Sequence, residues 1–440
     1  MLEQSFLDFG YTKEEFERIR NTYPINTLKD ETLLNNFENI TKFLLNNGYT
    51  KEEAIKMSSK FPPLFGLSIE NIKQKIDDIV TLGYTREEII KMNKTMPPLF
   101  GLSIANIRQK IDDIVTLGYT REEVIKMTNT LPSLFGYSMA NIKQRIDDMV
   151  SLGYKREEVI KMTKTSPSLY GYSIENIKQR IDDIVTLGYT KEEVIKMTKS
   201  LPQLFSYSIE NIRQKINDMV SLGYTREEVI KMTKTSPTTL FSYSIETIIQ
   251  KMNTIMALGY TKEEVIKMTK TMPILFGYGI ENIKQKIDDI ELLGYKREEV
   301  IKMTKTSPTL FSYNIENIRQ KMNAIMALGY TKEEVIRMIV TFPALLGSGI
   351  ESIREKIDFY DSIDMHELLI VDPKDFMQST KLSYARYEFY KAKGIKIDMT
   401  NYRKLFLGNK LFEKQYGITK EELLDKYKYE DYIKNKSKTK

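Results

Sequence analysis

Residues 188–222 read GYTKEEVIKMTKSLPQLFSYSIENIRQKINDMVSL, and this pattern recurs along most of the chain. Gly-Tyr pairs begin at Gly10, Gly48, Gly83, Gly118, Gly153, Gly188, Gly223, Gly259, Gly294 and Gly329. After the first pair the spacing is 35 residues, with one step of 36. A proline follows each glycine by 14 residues, from Pro24 and Pro62 through Pro202 to Pro343. A fixed period of this size marks stacked supersecondary units, each unable to bury its apolar face alone. Thr190 and Glu193 fit a capping box, and Tyr189 and Val194 fit the hydrophobic staple around it. A first helix is therefore predicted to run from the cap to about Ser200. Pro202 ends it, because proline disfavours helical geometry in the residue before it. The segment LPQLFSY is predicted to make one tight helical turn. Ser208 then caps a second helix with Ile209, Ile212, Ile216, Met219 and Val220 as its apolar stripe, and Gly223 terminates it.

The chain has 440 residues, enough for about three ordinary domains. The period argues instead for one solenoid over roughly residues 10–360. With 29% charged and 41% apolar residues the chain is expected to be soluble and globular. There is no Cys and one His, His366, which removes disulfides, thiol nucleophiles and Cys/His zinc sites together. No apolar run approaches a membrane span. Acidic residues come early (Glu3, Asp8, Glu14, Glu15), unlike a transit peptide. These features lead to the expectation of a cytoplasmic protein of bacterial type, or an organelle-matrix protein in mature form. The net charge of +6 is only a weak pointer to nucleic acid.

The glycine-led capped helix, the mid-repeat proline followed by Leu-Phe, and a second helix reading Asn-Ile-(Lys/Arg)-Gln-(Lys/Arg)-Ile-Asp resemble the mTERF repeat of the mitochondrial transcription termination factor proteins. Residues 381–427 are similar to the closing segment of that family. The resemblance implies an all-α solenoid curved into a half-ring that binds nucleic acid, mainly double-stranded DNA and sometimes RNA. It implies roles in transcription termination or initiation, transcript processing or ribosome assembly. The chain is expected to depart from the family pattern in having no evident transit peptide, and its repeats are unusually uniform. It also has Gln179, Gln214 and Gln285 where the family often has proline.

Two basic slots recur in the second helix. The first holds Lys73, Arg108, Lys143, Lys178, Arg213, Lys284, Arg319 and Arg354, with Ile249 breaking the series. The second holds Lys75, Lys110, Arg145, Arg180, Lys215, Lys251, Lys286, Lys321 and Lys356 without a break. At 100° per residue they flank the apolar stripe on its two sides. Stacked repeats turn each slot into a row of cations, as a phosphate backbone requires. The unbroken second slot is the favoured contact. A third row near the end of the first helix (Lys94, Lys164, Lys199, Lys234, Lys270, Lys305) also complements the helix dipole. The competing reading is that these side chains are ordinary solvated flanks lying over the stripe.

The residues beside the mid-repeat proline vary while the frame stays fixed. Before it stand Phe61, Met96, Leu131, Ser166, Leu201, Ser236, Met272, Ser307 and Phe342. After it stand Pro63, Pro98, Ser133, Ser168, Gln203, Thr238, Ile274, Thr309 and Ala344. Repacking between repeats is the default explanation; a one-repeat, one-base code is the sharper one. The Gly-Tyr tyrosines read as staples before they read as base-stacking platforms. The recurring Glu-Glu pairs suit caps and dipoles, not catalysis. His366 lies in a divergent linker and is expected to be exposed or packed. No phosphate loop, metal cluster or triad appears, so no enzyme, metal or cofactor is expected.

The predicted organisation is a divergent N-terminal cap at 1–47, the solenoid at 48–360, a C-terminal cap at 361–428 that loses the period, and a basic disordered tail at 429–440. Stacking at about 10 Å per layer gives a contour on the order of 100 Å. That length can follow roughly 20–30 base pairs of duplex. The expectation is a monomer that clasps duplex DNA without a membrane partner. A single-stranded RNA binder and a protein-binding scaffold are the alternatives.

Overall fold

The computed structural model describes residues 1–438, with side chains through residue 434. Among the described residues every regular element is helical and there is no strand. The chain divides into two compact units: Met1–Asn217 with Thr233–Thr238, and Asp218–Met232 with Thr239–Lys440. Both are built from the predicted motif. In the first unit, helix Arg121–Thr130 leads into a 3-10 turn, Pro132–Gly136, and then helix Met139–Ser151. In the second, Lys262–Thr271 is followed by Pro273–Gly277 and Ile280–Glu291. At the 36-residue step the extra residue turns the 3-10 segment into a six-residue α-helix, Pro237–Ser242.

The local signals act as read. Thr120 Oγ1 accepts from the Glu123 N–H at 3.2 Å, while Glu123 Oε2 accepts from the Thr120 N–H at 2.7 Å. At Lys155 and Lys296 only the glutamate half survives, because an ammonium has no acceptor. Gly118 terminates its second helix at φ 109°, and an added Cβ there would sit 3.2 Å from Ile160 Cδ1 of the next repeat. Conformation and close approach both demand glycine at this point.

The core is continuous within each unit. Ile142, Ile146 and Met149 of one second helix are buried, as are Val159 and Met162 of the first helix that follows. Every Gly-Tyr tyrosine is buried as well. From Tyr84 to Tyr260 each of these hydroxyls lies 2.6 Å from the threonine of the next repeat's first helix, as in Tyr119–Thr163 and Tyr260–Thr304. That threonine also donates to the carbonyl four residues back, Val159 in the case of Thr163. The tyrosine is thus a polar tie between repeats inside an apolar seam.

At the N-terminus Phe6, Phe16, Phe37 and Phe65 form an aromatic plug, with Phe6 stacked on Phe37 at 3.9 Å. The C-terminal region differs from expectation twice. The period does not stop at 361. Asp364 stands 35 residues after Gly329 and takes its left-handed conformation, at φ 58°. Met365 and Pro373 follow as the buried residue and the proline, with the first helix cut to Leu368–Val371. This is a repeat shortened by five residues, from 14 to 9 between the turn residue and the proline. The expected disordered tail is also corrected: Tyr429–Lys438 is a helix. Its Tyr429 is buried, Tyr432 donates to the Asp358 carbonyl at 2.8 Å, and Lys381 pairs with Glu430 at 2.9 Å. The last two residues of that tail, 439–440, lie outside the described residues.

Candidate nucleic-acid interface

Three rows of cations were candidates, and the fold gives them different work. The row at the end of the first helix is an ion-pair ladder between neighbouring repeats. In the first unit Lys94, Lys164, Lys199 and Lys234 pair with Glu53, Glu123, Glu158 and Glu193 at 2.7–2.8 Å. In the second, Lys270 and Lys305 pair with Glu228 and Glu264 at 2.8 and 2.7 Å. The acid is the capping-box glutamate of the preceding repeat. Glu123 spends Oε2 on its own cap and Oε1 on Lys164. Hydrogen bonding from the lysine, then from the cap N–H, holds these carboxyls below the usual range. Asn129 substitutes for lysine once and donates to Glu88 at 2.8 Å.

The second slot of the second helix is also engaged by the scaffold. Lys110 Nζ donates to the Tyr137 carbonyl at 2.5 Å, and Arg180 to the Tyr207 carbonyl at 2.8 Å. Lys251 and Lys286 reach the Tyr278 and Tyr313 carbonyls at 3.3 and 2.6 Å. Lys75 and Lys321 reach the carbonyls of Leu102 and Ser348 in the same way. Each carbonyl precedes the cap of the next second helix, 27 residues on. Lys356 is buried, donates to Gln378 and Thr380 of the shortened repeat, and is pushed down by desolvation. Arg145 is half-buried and lies 3.7 Å from Asp148, and Lys215 is half-buried in the same place. The slot never loses its cation because the cation closes the seam between second helices. The expectation that it is the primary phosphate contact overlooked this role.

The first slot is different. Lys73, Arg108, Lys143, Lys178, Arg213 and Lys284 are all exposed, and among the described residues none of them forms an ion pair. Arg319 and Arg354 pair with glutamates three residues earlier at 3.1 and 3.0 Å, both side chains about half exposed. Ile249, at the break in the series, is exposed too. Nearby acids are already occupied. Asp112 and Asp147 pair with Arg121 and Arg156 of the following helix at 2.6 and 2.9 Å. Asp113 and Asp183 accept from Gln109 and Gln179 at 2.8 Å. The glutamines that replace the family's proline therefore hold the second acid of the helix.

The tyrosines of the Gly-Tyr pairs are too buried to stack on bases. Burial raises their pKa values, to about 12 for Tyr84, Tyr224 and Tyr260. The two proline-flanking positions separate cleanly. The residue before the proline is buried or half-buried throughout. The residue after it is exposed in every repeat from Pro98 to Ala344. His366 is half-buried, stacks on Tyr330 at 4.5 Å between centroids, and shares a 2.7 Å contact with Asp361. Sequence reading missed a second tyrosine series: Tyr137, Tyr172 and Tyr207 in the first unit, Tyr243, Tyr278 and Tyr313 in the second. These stay half-exposed, and Arg180 and Lys251 lie over Tyr172 and Tyr243 at 5.8 and 5.1 Å. Their regular spacing was visible all along.

Helix, proline-led turn and helix, tied to the next copy by a buried tyrosine and two cations, define an α-solenoid protein with its spare charge in one exposed slot. The chain belongs to the mTERF family: its family model matches residues 3–82, 71–186, 180–290 and 283–368. A search among curated proteins finds no match. No described helix is long and apolar enough to cross a membrane.

Proposed function

We propose that this protein binds double-stranded DNA through its first-slot cations and acts on transcription by occupying the template, without catalysing a reaction. The observation that carries this reading is the exposed, unpaired row Lys73, Arg108, Lys143, Lys178, Arg213 and Lys284. Two other cationic rows are consumed by the scaffold; these six cations have no structural work, and they recur in every repeat from Lys73 to Lys284 except the one that carries Ile249. Membership of the mTERF family supports the nucleic-acid reading. A bound phosphate backbone releases counterions, so affinity must fall steeply with salt.

The test is duplex affinity over a salt series, for the wild type and for Lys143→Ala with Lys178→Ala. The wild type should give a steep linear fall of log K with log salt. Each alanine should reduce that slope by about one. A flat plot rejects the proposal and leaves a protein-binding scaffold. Competition with single-stranded RNA of equal length is the second arm; RNA that displaces duplex efficiently assigns the same cations to RNA.

A further inference from the structure

Most exposed positions in these repeats are held constant. The glutamate of the first turn, the lysine or arginine at mid-helix and the glutamine of the second helix recur with hardly a change. The residue after the proline does not. It is Pro98, Ser133, Ser168, Gln203, Thr238, Ile274, Thr309 and Ala344 in successive repeats. All are exposed, so packing between repeats, which explains the residue before the proline, does not explain this one. Ile274 is 47% exposed, an aliphatic side chain of no use to solubility or to the core.

The local geometry presents this side chain outward. A 3-10 turn has three residues per turn, so positions three apart share an edge. Three residues on stands a small exposed residue, Gly101, Gly136, Gly171, Ser206, Gly277, Ser312 or Gly347, except after Thr238, where the segment is α-helical and Phe241 is buried. A Cβ at Gly136 would meet nothing within 4 Å, and at Gly171 only the Tyr137 hydroxyl of the preceding repeat at 3.7 Å. Space therefore lies open beside the variable residue. Successive turns are neighbours: Gly101 approaches the Phe61 ring of the repeat before, and Gly347 the Tyr313 hydroxyl. Within each unit they form a ridge that carries one variable residue per repeat. The second-slot cations bind carbonyls four residues further on, as Arg180 does at Tyr207, so the ridge is bordered by positive charge.

We infer that the residue after each mid-repeat proline is a specificity-determining contact to the bases, one per repeat; this rests on the duplex-binding reading above. The chemistry suits that role. A carboxamide such as Gln203 can pair with the adenine edge, hydroxyls accept or donate to several bases, and an aliphatic group such as Ile274 contacts the thymine methyl. None of these residues is charged, so they add nothing to non-specific affinity. Base preference and salt dependence thereby become separable properties.

The test selects preferred sites from a pool of random-sequence duplexes with the full-length chain and with Gln203→Ser and Ile274→Gln. Both substitutions are on exposed side chains, and circular dichroism verifies that the helical array is kept. Each variant should change the base preference at one position of the selected site by about tenfold or more. The two positions should be separate. Affinity for the unselected pool and the salt slope should be unchanged. Identical selected sites for wild type and variants overturn the inference while leaving duplex binding intact, as does binding with no enrichment. A wild type that binds no duplex at any salt overturns the duplex reading itself, and the inference with it.

Discussion

Asn93 occupies the position that threonine holds in the repeats from Thr128 to Thr304. Its amide donates to the Ile89 carbonyl at 2.9 Å, but its Oδ1 is buried without a partner. Tyr49, which would otherwise meet a threonine, turns to the Ile90 carbonyl at 3.0 Å. A buried unsatisfied acceptor costs about 1–3 kcal/mol. Asn93→Thr should therefore stabilise the chain by about 1 kcal/mol, read as a higher denaturant midpoint with an unchanged m-value; no gain would mean that Asn93 finds another partner. The tyrosines make a second prediction. Burial, the largest cause, raises Tyr84, Tyr224 and Tyr260 from 10.0 to about 12. The folded pKa is above the unfolded one, so this contribution is fully present below about pH 10 and is lost as pH rises through about 12. Because the tie is repeated, stability measured across that alkaline window should fall steeply, and the share of tyrosinate absorbance that belongs to the buried Gly-Tyr series should appear only with loss of helix.

At the scale of the helix, two slots of the same type in sequence are separated by what they touch. Lys110→Met removes the donor from the Tyr137 carbonyl and should cost about 1–2 kcal/mol of stability. Lys143→Ala, at an exposed position, should leave stability within about 0.5 kcal/mol and act on salt-dependent binding alone. Equal melting losses in the two variants would contradict the assignment of roles. The ladder of Glu123–Lys164 pairs makes an acid-side prediction. Those glutamates are lowered chiefly by the lysine hydrogen bond. Their contribution is present above the ordinary carboxylate range and is lost as pH falls through the lowered values. Glu123→Gln keeps an oxygen for the cap but removes the charge, and should flatten stability between about pH 5 and pH 2. Capping box, proline stop and apolar stripe were legible because each is written within about ten residues. The ladder was not, because Lys164 and Glu123 stand 41 residues apart and each looks complete alone, one as a dipole cation and the other as a cap.

Among the described residues, the recurring polar ties of the solenoid join each repeat to its immediate neighbour. Tyr119 reaches Thr163, Glu123 reaches Lys164, and Lys110 reaches Tyr137. The period was readable in the sequence because this one set of contacts is reused. It was lost from view at the shortened repeat because Asp364 replaces glycine and five residues are missing, although the left-handed turn is kept. Nearest-neighbour coupling implies that a repeat can be removed without harm to the rest. Deleting residues 153–187 joins Leu152 to Gly188 in register. Tyr119 then faces Thr198 in place of Thr163, and Glu123 faces Lys199 in place of Lys164. Phe205 replaces Tyr170, whose hydroxyl lies 2.6 Å from that of Tyr119, so one buried hydrogen bond goes and no new orphan is created. The shortened chain should keep its helicity per residue and its cooperative unfolding, with stability lower by the contribution of one repeat and one interface. Since Lys178 leaves with the repeat, the salt slope for duplex binding should fall by about one. Since Ser168 leaves too, the selected site should shorten by a single position. Collapse of the helical signal on this deletion would show that stability depends on more than adjacent repeats. An unshortened site with an unchanged slope would show that this repeat does not touch the duplex.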